Sequence, residues 1–473
     1  MRRASTLLAT GLALLALCSP QAPAAVPPKA VLDPTFGGDG LVMLPGEPLG
    51  WEAYGQAAPG GDVFVSGGPL LQLLTGSGDP ASSFGAVGTF SPPPAEGGEF
   101  SLADFTIDSK GRLLVVGTSH FPLAEEDRPR GPNGSPLGIE PSAVRILRFL
   151  PDGRLDPTFG QGGVVETDFG LPPPHDGERQ PMLPRASVAA TGLAVDPQGR
   201  IVVTGSADLY LGPACGRGLH EPTVIAGGFV ARWTEDGALD PGFSGDGLVG
   251  GRKLSETPLR AKVLDEPVPG PHGEVTYRST NLNACGWGHG RWGMAQLTPE
   301  GRTRWRLGRN GALGGYFRAF AAKPDGSVVA LARMRWNGRE AFRARVVRIT
   351  PDGTVDRSFG RDGNTVVKLG FHLGNEPDAL ALDARGRVLL GGTLVTRKGR
   401  STWMVRLSAS GRQEMNFGPE GRVVTRLPNL VTFGPSDLFL DPKGRVVTVH
   451  RREHRSQTAE LSGLVVARYL LPD

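Results

Sequence analysis

One module recurs along this chain, and its last copy is cut in two by the chain's own ends. Its clearest form is residues 144–163, VRILRFLPDGRLDPTFGQGG. This reads as a short strand, a Pro-Asp-Gly turn, and Leu-Asp-Pro-x-Phe-Gly with a glycine-rich exit. The module returns at 230–247 (VARWTEDGALDPGFSGDG) and 346–363 (VVRITPDGTVDRSFGRDG), and in altered form at 403–421, 295–311 and 71–88. The seventh copy stops at the turn in 464–473 (LVVARYLLPD), and 32–40 (LDPTFGGDG) carries what should follow it. A repeat phase split between the termini predicts a chain that closes on itself.

A second piece alternates with the first. It is visible as FTIDSKGRLLVVGT (105–118), LAVDPQGRIVVTGS (193–206), FAAKPDGSVVALAR (320–333), LALDARGRVLLGGT (380–393) and LFLDPKGRVVTVH (438–450), with weaker copies at 61–68 and 272–280. Period-two alternation flanking Asp-x-x-Gly marks a β-hairpin, because Asp hydrogen-bonds forward into the turn and Gly tolerates positive φ. Each full unit then has four strands, the fourth being a valine-rich run such as 163–169 or 421–427. A lone sheet of this size cannot bury both faces, so the units must stack around an axis. The expectation is all-β: a seven-bladed β-propeller of four-stranded units. Residues 32–44 should pair with 437–473, with 40–44 as the missing fourth strand.

Composition agrees. Of 473 residues, 70 are glycine and 42 proline, well above average usage, and no triplet period suggests collagen. The 51 cationic and 47 acidic residues are interspersed, so no concentrated patch invites nucleic acid; the short run Arg451-Arg452-Glu453-His454-Arg455 reads as a solvated loop. Residues 1–25 read as a secretory signal: Arg2 and Arg3, an apolar run from Leu7 to Cys18, then Ala22-Pro23-Ala24. Residues 26–473 would form one propeller domain, secreted, periplasmic or at the cell surface. Lipid anchoring at Cys18 is disfavoured, because Leu17 stands where a small residue is wanted. No later stretch is long and apolar enough to span a membrane.

The module resembles the delta-60 repeat of bacterial secreted and surface proteins, with its R-L-x-x-D-G-x-L-D-x-x-F-G pattern, which is similar in its turns to NHL propellers. The strongest matches are 144–163, 230–247, 346–363 and the split copy at Arg468 and Asp33. Copies 71–88 and 295–311 depart from it. The resemblance implies a secreted propeller and no known reaction.

Up-and-down strand order puts the connections after second and fourth strands on one end of the disc. The sequence gives these as 119–143, 207–226, 281–292, 334–343 and 451–463, and as 91–104, 170–190, 251–262, 370–379 and 428–437. Loops on a rigid scaffold commonly carry function. His120, His175, His220, His289, His372, His450 and His454 fall on or beside them, as do Trp51, Trp287 and Trp336; His272 lies in a turn at the other end. The candidate binding residues are His220, Trp287, His289, Trp336, His372 and His454. No catalytic residue, metal site or cofactor is expected: there is no G-x-S-x-G, H-E-x-x-H, P-loop or dinucleotide fingerprint, and GGDG (37–40) and SGDG (244–247) lack the calcium-loop carboxylate ladder. The expected function is a secreted, non-enzymatic, monomeric scaffold binding a protein or glycan. The rival is a lactonase-like propeller hydrolase or lyase with its site at the channel mouth.

Two further expectations concern pairing. Cys215 and Cys285 lie in the same type of loop in consecutive units, and an exported chain would join them as a disulfide. In four copies an arginine precedes an acid by eight residues across the turn: Arg148 and Asp156, Arg232 and Asp240, Arg348 and Asp356, Arg406 and Glu414. The copy at 295–311 has Gln296 and Arg304 there, a joint loss that ion pairing would explain. In the split copy Arg468 should meet Asp33.

Overall fold

The computed structural model describes residues 29–45, 53–68, 70–85, 88–130, 136, 139–174, 182–212, 223–250, 263–281, 291–307, 316–336, 339–367, 375–396, 399–427, 437–452 and 463–472. They form seven antiparallel sheets, one per repeat, with two short 3-10 turns. The sheets are the blades of a propeller, numbered here from the amino-terminal end. Blade one holds Tyr54–Ala57, Val63–Ser66, Leu71–Leu74 and Thr89–Phe90. Blade two holds Glu99–Ile107, Leu113–His120, Ser142–Phe149 and Val164–Thr167. Blades three to six repeat this order, starting at Val188–Val195, Val263–Pro269, Tyr316–Ala322 and Asn375–Leu382. Neighbouring first strands approach one another at all seven junctions, including blade seven against blade one, so these strands form the inner ring.

Blade seven closes the ring. Asp437–Leu440, Val446–Arg452 and Gly463–Leu470 come from the carboxyl-terminal region. Leu41–Pro45 pairs with Gly463–Ala467 as the fourth strand, and Val31–Leu32 pairs with Tyr469–Leu470 just before it. Strand pairing between the two ends of the chain replaces a covalent closure, and it covers an edge that an open array would expose.

The core lies between blades. Apolar residues of the middle strands, such as Val115, Leu147, Val203, Ala231, Val347 and Val466, are fully buried. The hydrophobic clusters join consecutive blades, for example Val116 and Ile146 of blade two with Val203 and Phe229 of blade three. One contact explains the module's two most regular residues. At five junctions the module's phenylalanine sits under the glycine of the next blade's turn: a Cβ on Gly237 would lie 2.9 Å from the Phe159 ring, and one on Gly411 2.9 Å from Phe359. Both glycines also adopt positive φ (94° and 86°), which only glycine tolerates freely.

The connections differ from the expected ones in extent. In blade three half of the loop read as 207–226 is hairpin strand, with Ile201–Gly212 paired to Thr223–Trp233 as far as Gly212 opposite Thr223. In blade five the loop read as 334–343 is also strand: Val328–Trp336 and Arg339–Ile349 leave only 337–338 between them. Blade six ends likewise, with Thr396 opposite Gly399.

Candidate functional site

The turn end of the disc is held by an outer ring of arginines on the third strands. Arg148 Nε donates to Asp156 Oδ2 (2.9 Å), Arg232 to Asp240 (2.7 Å), Arg348 to Asp356 (2.7 Å), Arg406 to Glu414 Oε2 (2.5 Å) and Arg468 to Asp33 (2.8 Å). Each guanidinium also lies 4.4–5.2 Å from the centroid of its own module's phenylalanine, from Phe36 under Arg468 to Phe359 under Arg348. Its Nη1 crosses to the next blade, while Nη2 of Arg148, Arg348 and Arg468 donates to the Thr158, Ser358 and Thr35 hydroxyls of the same module. Arg148 reaches the Glu235 carbonyl, Arg348 that of Ala409 (3.0 Å), Arg406 that of Pro472 (2.6 Å) and Arg468 that of Gly76 (2.6 Å). The Arg468 link spans the closure, from blade seven to blade one.

A second arginine lies in the first hairpin turn, and in blades two and seven it also approaches the module's acid. In blades two, three, six and seven the Asp-x-x-Gly-Arg turn pairs Arg112 with Asp108, Arg200 with Asp196, Arg387 with Asp383 and Arg445 with Asp441, all at 2.6 Å. Arg445 additionally reaches Asp33 at 3.1 Å. Burial opposes the Asp33 carboxylate, but the Thr35 hydroxyl and amide, and then Arg468, outweigh it and hold the group below the ordinary range. In blade four the module's arginine–acid pair is lost, as the sequence indicates, and a reversed pair between the two hairpins stands in its place. Glu274 occupies the second arginine's position and Arg304 the acid's, and they pair at 3.2 Å. Gln296, in the first arginine's place, is buried and donates to Thr276 Oγ1 (3.1 Å).

The first strands carry an inner ring of ties. Most of these strands have a β-bulge at mid-length, and polar residues cluster beside it. Asp104 Oδ2 accepts from the Leu193 amide (2.8 Å), joining blades two and three. The Thr191 hydroxyl donates to the Leu264 carbonyl, joining three and four. Arg278 grips Asp265 with two bonds (2.7 and 2.8 Å) and reaches the Arg318 carbonyl (3.1 Å), joining four and five. Arg318 pairs with Asp378 (3.0 Å), joining five and six, and Asp437 accepts from the Gly55 amide (2.9 Å), joining seven and one. The sequence reading missed this ring. Its signal is a polar residue four or five positions before the turn aspartate or its equivalent, where the apolar alternation should continue.

The long connections leave from the opposite end of the blades. There the Asp208 carboxyl of blade three accepts from Ser187 Oγ (2.8 Å), and burial pushes it above the usual range. His450 is not on a loop: it is fully buried within Val446–Arg452, its Nε2 lies 2.9 Å from Thr448 Oγ1, and burial lowers its pKa to about 3. His120 ends the second strand of blade two, half-buried, and His272 sits exposed in a turn at the other end. Trp336 ends the second strand of blade five. His220, Trp287, His289, His372, His454, Cys215 and Cys285 lie outside the described residues. Among the described residues no group of three or more His, Cys, Asp and Glu could hold a metal, and no helix is long and apolar enough to cross a membrane.

No protein among the curated sequences matches the chain. Solved structures resemble it at low identity. The β-propeller domain of the Trilobed protease from Pyrococcus furiosus is 6% identical over 59% of this chain and 68% of its own, with a TM-score of 0.33. Puromycin hydrolase is 13% identical over 85% of this chain and 59% of its own (TM-score 0.36). A gluconolactonase from Xanthomonas campestris is 11% identical over 91% and 98% (TM-score 0.34). At these values the likenesses carry no argument about activity. A family model described as a domain of unknown function (DUF5122), beta-propeller, matches residues 140–159 and 323–359, that is, the module of blade two and the first turn to Phe359 of blade five. That match supports a β-propeller repeat family.

Proposed function

We propose that this protein is exported and acts as a non-enzymatic propeller whose long-connection end binds a protein or glycan of the envelope or extracellular space. The observation that carries this reading is the asymmetry between the two ends. At the turn end, the same guanidinium, carboxylate and phenyl ring recur from blade to blade and are consumed in joining blades. At the other end, the connection between second and third strands runs from 337–338 in blade five to 121–141 in blade two, and the sequences of these connections share no recurring motif. The first-strand carboxylates Asp104, Asp265, Asp378 and Asp437 are likewise engaged in ties, which favours a scaffold over a hydrolase at the channel. The resemblance of the module to delta-60 repeats and the apolar amino-terminal run support export.

The test is binding of the mature chain to a glycan array and to immobilised envelope proteins. Alanine at His220, Trp287, His289, Trp336, His372 and His454, singly and together, should weaken the strongest signal while moving Tm by no more than about 2 °C, because on this reading these residues serve binding and not the fold. Unchanged binding by the combined variant rules the reading out. Export also puts Cys215 and Cys285, on the corresponding connections of blades three and four, in an oxidising compartment where they form a disulfide. Two titratable thiols in the native, unreduced protein would refute that pairing.

A further inference from the structure

The junction between blades one and two lacks what fills its neighbours. At the junction of blades two and three, Lys110, Arg112 and Arg148 of blade two all converge on Glu235 of blade three: Lys110 and Arg112 on its carboxylate, Arg148 on its carbonyl. The corresponding positions one blade earlier are Gly60, Asp62, Leu73 and Pro151, and the acid that would answer the arginine is Ala81. The backbone frame is nevertheless the same. The Ala81 amide donates to the Leu73 carbonyl (2.9 Å) as the Asp156 amide does to that of Arg148 (2.9 Å). Removing the long side chains leaves a cavity of about 350 Å³, lined by Gly60, Asp62, Phe64, Leu73, Leu150 and Pro151 among others.

We propose that this cavity binds an alkylguanidinium, supplied by an arginine side chain of a partner polypeptide or by free arginine. The molecule itself supplies the template. At five junctions a guanidinium enters the space between blades, meets a carboxylate and a phenyl ring, and ends on a turn carbonyl of the next blade. Here the guanidinium is missing from the chain, but its surroundings are kept in altered form. Asp62 offers the carboxylate, held in place because its Oδ1 accepts from the Gly76 amide (2.9 Å). Phe64 offers an aromatic wall, and Leu73, Leu150 and Pro151 offer apolar surface to the methylene stem. Pro151 occupies the chain position whose carbonyl, at Glu235, accepts from Arg148. Lys110 also borders the cavity, but its ammonium is neutralised by Glu235, which leaves Asp62 to set the sign of the site. This site is on the turn end and does not depend on the partner proposed for the other end.

Calorimetric titration of the full chain with Nα-acetyl-arginine methylamide, free arginine and Nα-acetyl-citrulline methylamide tests the proposal. Saturable binding of an arginine compound is expected. The uncharged citrulline analogue should bind about tenfold more weakly or worse, because a charge-assisted bond is replaced by a neutral one. Tighter binding of the blocked amide assigns the source as polypeptide, and tighter binding of free arginine assigns it as the small molecule. Asp62→Asn can still accept from Gly76 and should weaken binding by about tenfold. Leu73→Arg should abolish binding and raise Tm, since the chain then fills its own cavity. Absence of saturable binding, equal binding of the citrulline analogue, or an Asp62→Asn variant that binds like the parent overturns the proposal.

Discussion

A guanidinium is unusual among side chains in having donors enough for a carboxylate and a distant carbonyl at once, together with a flat face for a ring. Arg148, Arg232, Arg348, Arg406 and Arg468 use all of this. Arg232 is 1% exposed, so its charge depends on Asp240. Asp240→Ala should therefore cost about 3–5 kcal/mol in denaturant unfolding, because a buried charge is left unpaired. The double variant Arg232→Leu/Asp240→Ala reproduces the Leu73 and Ala81 that blade one already carries, and it should be less destabilised than the single variant. A double variant worse than Asp240→Ala would show that the latch to the next blade outweighs the pair. His450 gives a different residue-scale signature. Its folded pKa of about 3 lies below the ordinary 6.5, so the unfolded chain binds a proton that the folded one refuses. Its contribution is fully present above pH 6.5 and is lost as pH falls toward 3, at about 1.4 kcal/mol per pH unit. Between pH 6.5 and 4.5 the parent should lose about 2 kcal/mol more than His450→Gln. Parallel pH profiles for the two proteins would place that histidine in contact with water.

At the scale of the element, the repeated turns were legible and the hairpin lengths were not. Asp-x-x-Gly and Phe-Gly announce themselves because each serves a backbone conformation and a contact that every blade needs. The blade-five hairpin does have a sequence signal, since Asn-Gly at 337–338 between two strand-forming runs is a strong two-residue turn motif. The arginine-rich runs around it lack the apolar period by which buried strands are recognised. The inner ties were illegible for another reason. Each junction uses different chemistry, Asp to amide at one and Arg to Asp at the next, so no repeat-based reading aligns them. Blade four's replacement pair was not legible from the module alone, because Arg304's partner, Glu274, belongs to the other hairpin. A glycine comparison tests what the turns do. Gly237 and Gly162 both have positive φ (94° and 64°), but a Cβ on Gly162 meets nothing within 4 Å while one on Gly237 meets Phe159 of the preceding blade. Gly162→Ala should cost about 1 kcal/mol of backbone strain. Gly237→Ala should cost a further ~1–3 kcal/mol for the contact. Equal losses would mean that the phenylalanine moves aside freely.

Strand pairing between the amino-terminal segment and the carboxyl-terminal strands completes blade seven, which also packs on and ties to blade one, and this makes the closing segment separable from the rest. Residues 29–45 supply Val31–Leu32 and Leu41–Pro45, both hydrogen-bonded to the strand Gly463–Leu470. They also supply Phe36, fully buried beneath Arg468, and Asp33, its carboxylate. Deleting them exposes a sheet edge, empties the space under the Arg468 guanidinium, and leaves Arg468 and Arg445 without the acid they share. The deletion should therefore cost far more than Asp33→Asn alone, for which about 3–5 kcal/mol is expected of a broken buried pair. Because the closure is non-covalent, a synthetic peptide of residues 29–45 should restore it in trans. Adding the peptide to the deleted chain should raise Tm in a concentration-dependent way, as any ligand of the folded state does. A peptide carrying Asp33→Ala should shift Tm much less at the same concentration. If the deleted chain melts where the full chain does, or if both peptides rescue it equally, then the ring is held by the other six junctions and the Asp33–Arg468 pair is incidental to closure.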